Sequence, residues 1–340
     1  MKVAVIGATG AVGREMTRIL QERNFPVDEL VPLASSRSAG TSVRFRDDDH
    51  LVRELSLDAL RGVDLALVSA GAATSRSFMP QAAEMGVTCI DNSSAFRMDP
   101  AVPLSIPEVN PEALEGSPRM IAVPNCTTIT AMLTLAPLHR AAGLTSLVMS
   151  SYQSVSGAGH RGISELLAQV EKLRGDEESL ADPVHEALPA GELFSKTIAY
   201  NVLAQVGEFE ADGYTGEESK MMAEPRKILG LPDLPVVATS VRVPVIVGHG
   251  VSLLAEFSRP ISVVQARAAI DAAPGVELRD DPANGIYPSP LDAAGGDVAL
   301  AGRIRQVRGR DDALVLFSCA DNLRKGAALD AVQIAEHLFR

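Results

Sequence analysis

Lys2-Val-Ala-Val-Ile6, followed at once by Gly7-Ala-Thr-Gly10-Ala-Val-Gly13, is the stretch that decides the fold. Its apolar run lacks polar alternation and reads as a strand buried on both faces. The glycines permit a tight turn, close approach of backbone to a ligand, and packing of the next helix onto the strand. Ala11–Arg23 reads as that helix, with apolar side chains at Val12, Met16, Ile19 and Leu20. A helix N-terminus here offers free N–H groups to a diphosphate. The spacing is G-x-x-G-x-x-G and no Lys-Ser/Thr pair follows, which disfavours an ATP-type phosphate loop. Gly7, Thr9, Gly10, Ala11, Val12 and Gly13 are the candidate dinucleotide cradle; the plainer reading is a structural turn.

Working outward, Leu30–Ala34, Val63–Ser69 and Val87–Ile90 read as further buried strands, with a helix over Ala72–Met85. Buried strands alternating with helices predict an α/β fold, a Rossmann-type doubly wound parallel sheet. Val43–Arg46 with Asp47-Asp48-Asp49 reads as an added hairpin and its solvated turn, since no other metal ligand keeps site spacing with the three carboxylates. An NAD site would place Asp or Glu at the end of the second strand. The chain has Ala34-Ser-Ser-Arg37-Ser38 instead. A guanidinium among hydroxyls suits a 2′-phosphate, so Ser35, Arg37 and Ser38 predict NADP rather than NAD.

Beyond about residue 144 the texture changes. Leu144–Tyr152, Val236–Val247, Val251–Phe257 and Ala313–Cys319 read as longer strands among helices and Gly/Pro-rich loops. They predict an α+β second domain. Asn322–Leu338 is helical in pattern and can pack back on the first domain. The expected division is residues 1–125 for dinucleotide binding, completed by 321–340, with 126–320 as the second domain.

The 340 residues carry a formal charge of −12, which argues against binding of nucleic acid. Three cysteines make no disulfide framework, and neither a signal peptide nor a membrane-spanning run is evident, so a cytoplasmic protein is expected. No cysteine, histidine or carboxylate pair has zinc spacing, so no metal is expected. Cys89 and Cys319 lie in strand patterns and read as small buried hydrophobes. Cys126, in Pro124-Asn-Cys126-Thr-Thr, begins the helical stretch Thr127–Ala142. A thiol at a helix N-terminus is expected to have a lowered pKa. Position alone leaves it open between nucleophile and structural cysteine.

Together, these motifs carry a resemblance. Gly7–Gly13, Asp91-Asn-Ser-Ser-Ala-Phe-Arg97, Ile106-Pro-Glu-Val-Asn110, Pro124-Asn-Cys-Thr-Thr128, Ser150–Gly159 and Asp321-Asn-Leu-Arg-Lys-Gly-Ala-Ala328 occur in order along the chain. The chain resembles the aspartate-β-semialdehyde dehydrogenases, in their shorter bacterial form. The resemblance implies NADPH-dependent reduction of L-aspartyl-β-phosphate to the semialdehyde with release of phosphate, on the route to lysine, threonine and methionine. It also implies a catalytic and dimerisation role for the second domain, and a homodimer or homotetramer.

By the same resemblance Cys126 is the nucleophile that forms a thioester, His249 the acid/base, and Gln153 the amide that orients the reacting group. Arg242 would anchor the substrate α-carboxylate and Glu217 its amino group. Arg97, Lys220 and Asn125 would form the phosphate site, and Ser156, Gly157 and Asn322 would lie beside the nicotinamide. Without the resemblance, Glu217 and Lys220 read as a surface pair at i, i+3, His249 as a loop residue, and Arg97 as a loop cation. An N-acetyl-γ-glutamyl-phosphate reductase is the rival enzyme, disfavoured by Pro124-Asn-Cys126 where a Pro-Gly-Cys motif would stand. A silent NADP-binding paralogue should lack the thiol or imidazole that this chain keeps. Two features strain the reading. Arg242 and His249 would face opposite sides of one unbroken strand, so Pro244 or Gly248 must break it. Pro225 predicts a kink or an early end to the helix bearing Lys220.

Overall fold

The computed structural model describes residues 1–175, 180 and 191–340; His185, which reads from sequence as a surface residue without a role in the site, lies outside them. Strands β1 (Lys2–Ile6), β2 (Glu29–Ala34), β5 (Arg53–Glu54), β6 (Leu65–Val68), β7 (Thr88–Asp91) and β8 (Met120–Ala122) form one sheet. Its order is β5-β2-β1-β6-β7-β8, and every pair is parallel. The order reverses between β1 and β6, which opens a ligand crevice at the carboxyl ends of those strands. Helices α1 (Ala11–Glu22) and α2 (Ala72–Glu84) connect the strands, as the alternation predicts. The added hairpin forms from β3 (Ser42–Phe45) and β4 (Asp48–Leu51), but Asp48 and Asp49 pair within β4 and only Asp47 remains in the turn.

The second sheet is mixed, in the order β10-β9-β11-β14-β13-β12. Its strands are β9 (Leu144–Gln153), β10 (Val236–Arg242), β11 (His249–Phe257), β12 (Val276–Leu278), β13 (Ala299–Gln306) and β14 (Ala313–Ala320). Helix α3 (Cys126–Ala142), α5 (Gly216–Leu229) and α6 (Val263–Asp271) cover one face. The other face leaves Val148, Tyr152 and Val237 exposed. Helix α4 (Gly159–Leu173) follows β9, and the short α7 (Pro290–Ala293) precedes β13.

Two sequence expectations are corrected. The strand expected over Val236–Val247 stops at Arg242, and the chain turns through Gly248, at φ +88°, before β11 begins at His249. A side chain at Gly248 would strike the Pro290 carbonyl oxygen at 2.5 Å. Pro225 does not end its helix early, because α5 runs on to Leu229 and closes at Gly230 in the left-handed region. A capping box between Thr215 and Glu218 fixes its start, and contacts further along the helix outweigh the one backbone bond that proline removes.

The C-terminal segment returns to the first sheet as a π-helical turn, Arg324–Ala328, leading into α8 (Leu329–Phe339). Arg324 bonds Glu15 and Glu22 of α1 at 2.9 and 2.8 Å and also reaches Asp297. Beside it lies a buried polar cluster. Lys325 Nζ donates to Glu108 Oε1 at 2.8 Å and Gln333 Oε1 at 2.7 Å, with Asp330 Oδ1 at 3.4 Å. Lys325 and Asp330 are fully buried, and Asp330 Oδ2 has no hydrogen-bond partner among the described residues.

Candidate active site

The first turn of the chain builds the groove. Gly7 sits at φ +86°, and a Cβ there would lie 2.2 Å from the Ser69 carbonyl oxygen. A Cβ on Gly13 would lie 2.2 Å from the Gly7 carbonyl oxygen. Only glycine serves at either position. Gly10 caps α1 without a side-chain hydrogen bond, so the helix keeps free N–H groups for an anion. A cavity of about 570 Å³ is lined by Gly7, Thr9, Gly10, Ser35, Arg37 and Ser38. Arg37 is exposed and makes no ion pair among the described residues. Glu54, a carboxylate without a part in the sequence reading, lines the same cavity.

Gly10 and Ser69 also line a second cavity, of about 330 Å³. Ala11, Val12, Arg97, Asn125, Cys126 and Asn322 border it, together with Ser156 and Gly157. The groove therefore runs from Arg37, past the amino end of α1, to the Cys126 thiol. Bare glycine turns, an uncapped helix end and an unpaired arginine fit a dinucleotide along its length.

The Asn125 side chain caps α3 by accepting from the N–H groups of Thr127 and Thr128 at 2.9 and 3.4 Å, a cap worth about 1 kcal/mol. This fixes Cys126 as the first helical residue. On its other side Gly326 comes so close that an added Cβ would lie 2.9 Å from Cys126 Cβ. The thiol's expected low pKa is not found in this state. Burial first, and the Glu217 carboxylate second, push it up to about 11, over the opposing pull of Arg97, Thr127 and Arg242.

Glu217 and Lys220 do form the i, i+3 pair, at 3.0 Å, but Glu217 is buried rather than solvated. Asn125 Nδ2 donates to Glu217 Oε1 at 2.8 Å, and Gln153 Nε2 donates to the same oxygen at 3.1 Å. The Lys220 ammonium pulls Glu217 below the usual carboxylate range despite burial, the largest single influence, which pushes it up. Three predicted residues, Asn125, Gln153 and Lys220, thus meet on the Glu217 carboxylate.

Arg242 and His249 also converge, because the chain breaks between them. A Cβ on Gly157 would lie 2.9 Å from Arg242 Nη1 and 3.2 Å from His249 Nε2. Arg242 Nη1 donates to the Ser154 carbonyl oxygen at 2.7 Å. His249 does not titrate near neutrality: burial first, and the Arg242 charge second, push it down to about 3. The Ser154 N–H, which can only donate, meets Nδ1 at 3.1 Å and puts the ring proton on Nε2. Nε2 is buried without a hydrogen-bond partner among the described residues. Ser154 Oγ also lies 3.1 Å from Nδ1 and can accept from it in the other tautomer. Asn322 Oδ1 secures this corner by accepting from Ser154 Oγ, Ser156 Oγ and the Gly248 N–H at 3.1, 3.1 and 2.9 Å.

Sequence reasoning missed Glu224. It is fully buried, its Oε1 accepts from Arg97 Nη1 at 3.0 Å, and its Oε2 accepts from the Asn125 N–H at 2.7 Å. Its spacing of seven from Glu217 on one helix was the available signal.

A parallel sheet whose switch-point groove ends at a thiol, with arginines on two sides, defines a dinucleotide-binding oxidoreductase. Comparison with known proteins narrows the class. Residues 2–117 match the family model described as semialdehyde dehydrogenase, NAD binding domain, and residues 135–325 match the one described as semialdehyde dehydrogenase, dimerisation domain. An aspartate-semialdehyde dehydrogenase of Streptomyces akiyoshiensis is 48% identical over 99% of this chain and 98% of its own. That of Aquifex aeolicus is 44% identical over 100% and 98%. The crystal structure of aspartate semialdehyde dehydrogenase II from Vibrio cholerae superposes with a TM-score of 0.91 at 42% identity, covering 99% of this chain and 98% of that one. A second structure of that enzyme, complexed with ASA, gives 0.89 at 42% identity, covering 99% and 97%. The chain belongs to the aspartate-semialdehyde dehydrogenase family.

Proposed function

We propose that the protein reduces L-aspartyl-β-phosphate to aspartate β-semialdehyde, with NADPH as donor and a thioester on Cys126 as intermediate. The observation that carries this reading is the single groove joining the Arg37 rim to the Cys126 thiol. Bound NADPH would supply a hydride at the Cys126 end. Gly10 and the amino end of α1 would hold its diphosphate, with Ser156, Gly157 and Asn322 beside the nicotinamide. Arg37 with Ser35 and Ser38 favours the 2′-phosphate, while Glu54 is the feature that competes for an unphosphorylated ribose.

In this reading Cys126 Sγ attacks the acyl carbon and phosphate leaves toward Arg97, Lys220 and Asn125. Arg97 Nε, buried and without a partner among the described residues, suits that anion. Arg242 takes the α-carboxylate, Glu217 the ammonium, and Gln153 steadies the reacting group. The Ser154 N–H sets the Nε2–H tautomer of His249, and the other tautomer requires Nδ1–H to turn away from that N–H onto Ser154 Oγ. With its proton on Nε2 His249 donates to the oxygen that gains charge; with Nδ1–H on Ser154 Oγ, Nε2 can accept the thiol proton. A low initial thiolate population means that substrate charge and the removal of this proton must activate the sulfur.

The same reading divides the chain near residue 125, with 321–340 returning to the first part, and pairs two chains through the exposed face of the second sheet. It places the enzyme in the cytoplasm, in lysine, threonine and methionine biosynthesis. The test is NADPH formation from aspartate β-semialdehyde, phosphate and NADP. Phosphate-dependent reduction of NADP, abolished in Cys126→Ala, is the expected result. Turnover without phosphate, or turnover in that variant, overturns the mechanism.

A further inference from the structure

Helix α5 presents Glu217, Lys220, Glu224 and Lys227 at spacings of three, four and three, which puts all four on one face. The first two belong to the cluster around Asn125 and Gln153. The last two grip a loop of the first domain from both ends. Glu224 holds the Arg97 guanidinium, and Lys227 Nζ donates to the carbonyl oxygens of Arg97, Asp99 and Val102 at 2.7, 2.6 and 2.8 Å. Arg97 is therefore fixed at its backbone and at its side-chain tip by residues one helical turn apart. Nη1 is held by Glu224 and Nη2 by the Asn92 carbonyl oxygen at 2.8 Å, which leaves Nε as the buried edge without a partner among the described residues. The second Glu224 oxygen holds the peptide N–H of Asn125, the residue before Cys126. One carboxylate thus spans the anion-binding arginine and the start of the nucleophile's helix. A buried pair of this kind adds little net stability but is costly to break, so its worth lies in geometry.

We propose that Glu224, assisted by Lys227, is the positioning residue of the phosphoryl site, setting the direction of Arg97 relative to Cys126. The proposal rests on the reading of Arg97 as a phosphate ligand. Gln at this position keeps the shape but replaces one acceptor oxygen with an NH₂, which faces a donor whichever way it turns. Glu224→Asp keeps the charge and shortens the reach by one methylene, so one of the two contacts is lost.

The test uses the full-length enzyme in the direction that consumes phosphate. Glu224→Gln should raise the KM for inorganic phosphate tenfold or more and leave the KM for the semialdehyde within twofold. Inorganic phosphate should also protect Cys126 of the parent enzyme from iodoacetamide, and half-protection of the variant should need at least ten times more phosphate. Glu224→Asp should fall between the two, and serves alone if the Gln variant does not fold. Equal rises in both KM values, or an unchanged phosphate KM with unchanged protection, would overturn the proposal. A parent enzyme that turns over without phosphate and gains no protection would instead remove the reading beneath it.

Discussion

Replacing Asp330 with Asn should stabilise the protein at pH 8 and leave it nearly unchanged at pH 4. Asp330 is fully buried, and burial, the largest influence, with the Glu108 charge pushes its pKa up to about 7 against the pull of Lys325. Glu108 is itself held below the usual range, chiefly by Lys325 against the cost of burial. Lys325 and Glu108 are thus already a neutral pair, and Asp330 is the surplus acid. In the unfolded chain it ionises near 3.8. Between pH 4 and 7 the native state keeps a proton that the unfolded state has lost, so stability falls as pH rises across that window. The gap from 3.8 to about 7 corresponds to about 4 kcal/mol, fully lost above pH 7. Asn never ionises and keeps an acceptor for Lys325. Its advantage should therefore grow from near zero at pH 4 to several kcal/mol at pH 8. Urea midpoints, read by far-UV circular dichroism because the chain has no Trp, should be taken from pH 4 to 8.5 at one protein concentration. A parent protein more stable than the variant at pH 8, or a difference independent of pH, would refute the reasoning and make Lys325–Asp330 an ordinary favourable ion pair.

Two further outcomes follow from the site. Alkylation of Cys126 in the cofactor-free enzyme should keep accelerating past pH 10, and Glu217→Gln should shift that rise to lower pH, since the Glu217 charge opposes the thiolate; a plateau below pH 8 in the parent would contradict this. Gly326→Ala should cut kcat tenfold or more, because its Cβ would press on Cys126 at 2.9 Å, and overpacking should destabilise the fold by about 1–3 kcal/mol. Steady-state kinetics and thermal melts test both, and unchanged kcat would show that the π-helical turn yields freely.

The parts legible in the sequence were those whose cause is local. The strand–glycine–helix unit needs only neighbours, and β1, α1 and α2 appear where periodicity places them. The break after Arg242 was legible as a geometric requirement, because Arg242 and His249 could not otherwise share a pocket. Of the two outcomes that Pro225 predicted, the early helix end did not occur: a missing backbone bond is visible in sequence, whereas the contacts of Glu224 and Lys227 that hold the helix through it are not. Cys126 misled for a similar reason. Its helix end is local, but burial and the Glu217 carboxylate come from tertiary structure. Glu224 reads as a solvated helix residue until Arg97, 127 positions earlier, is brought against it.

The covering of α1 by α8 has a consequence for biosynthesis. Leu329, Val332 and Ile334 are buried, and Arg324 and Arg23 tie this last segment to α1 through Glu15, Glu22 and Glu336. While the ribosome is still translating codon 320, α1 has long emerged but its apolar cover has not, and nothing yet backs the reactive sulfur. The core around α1 should therefore be completed only after residues 321–340 have been synthesised.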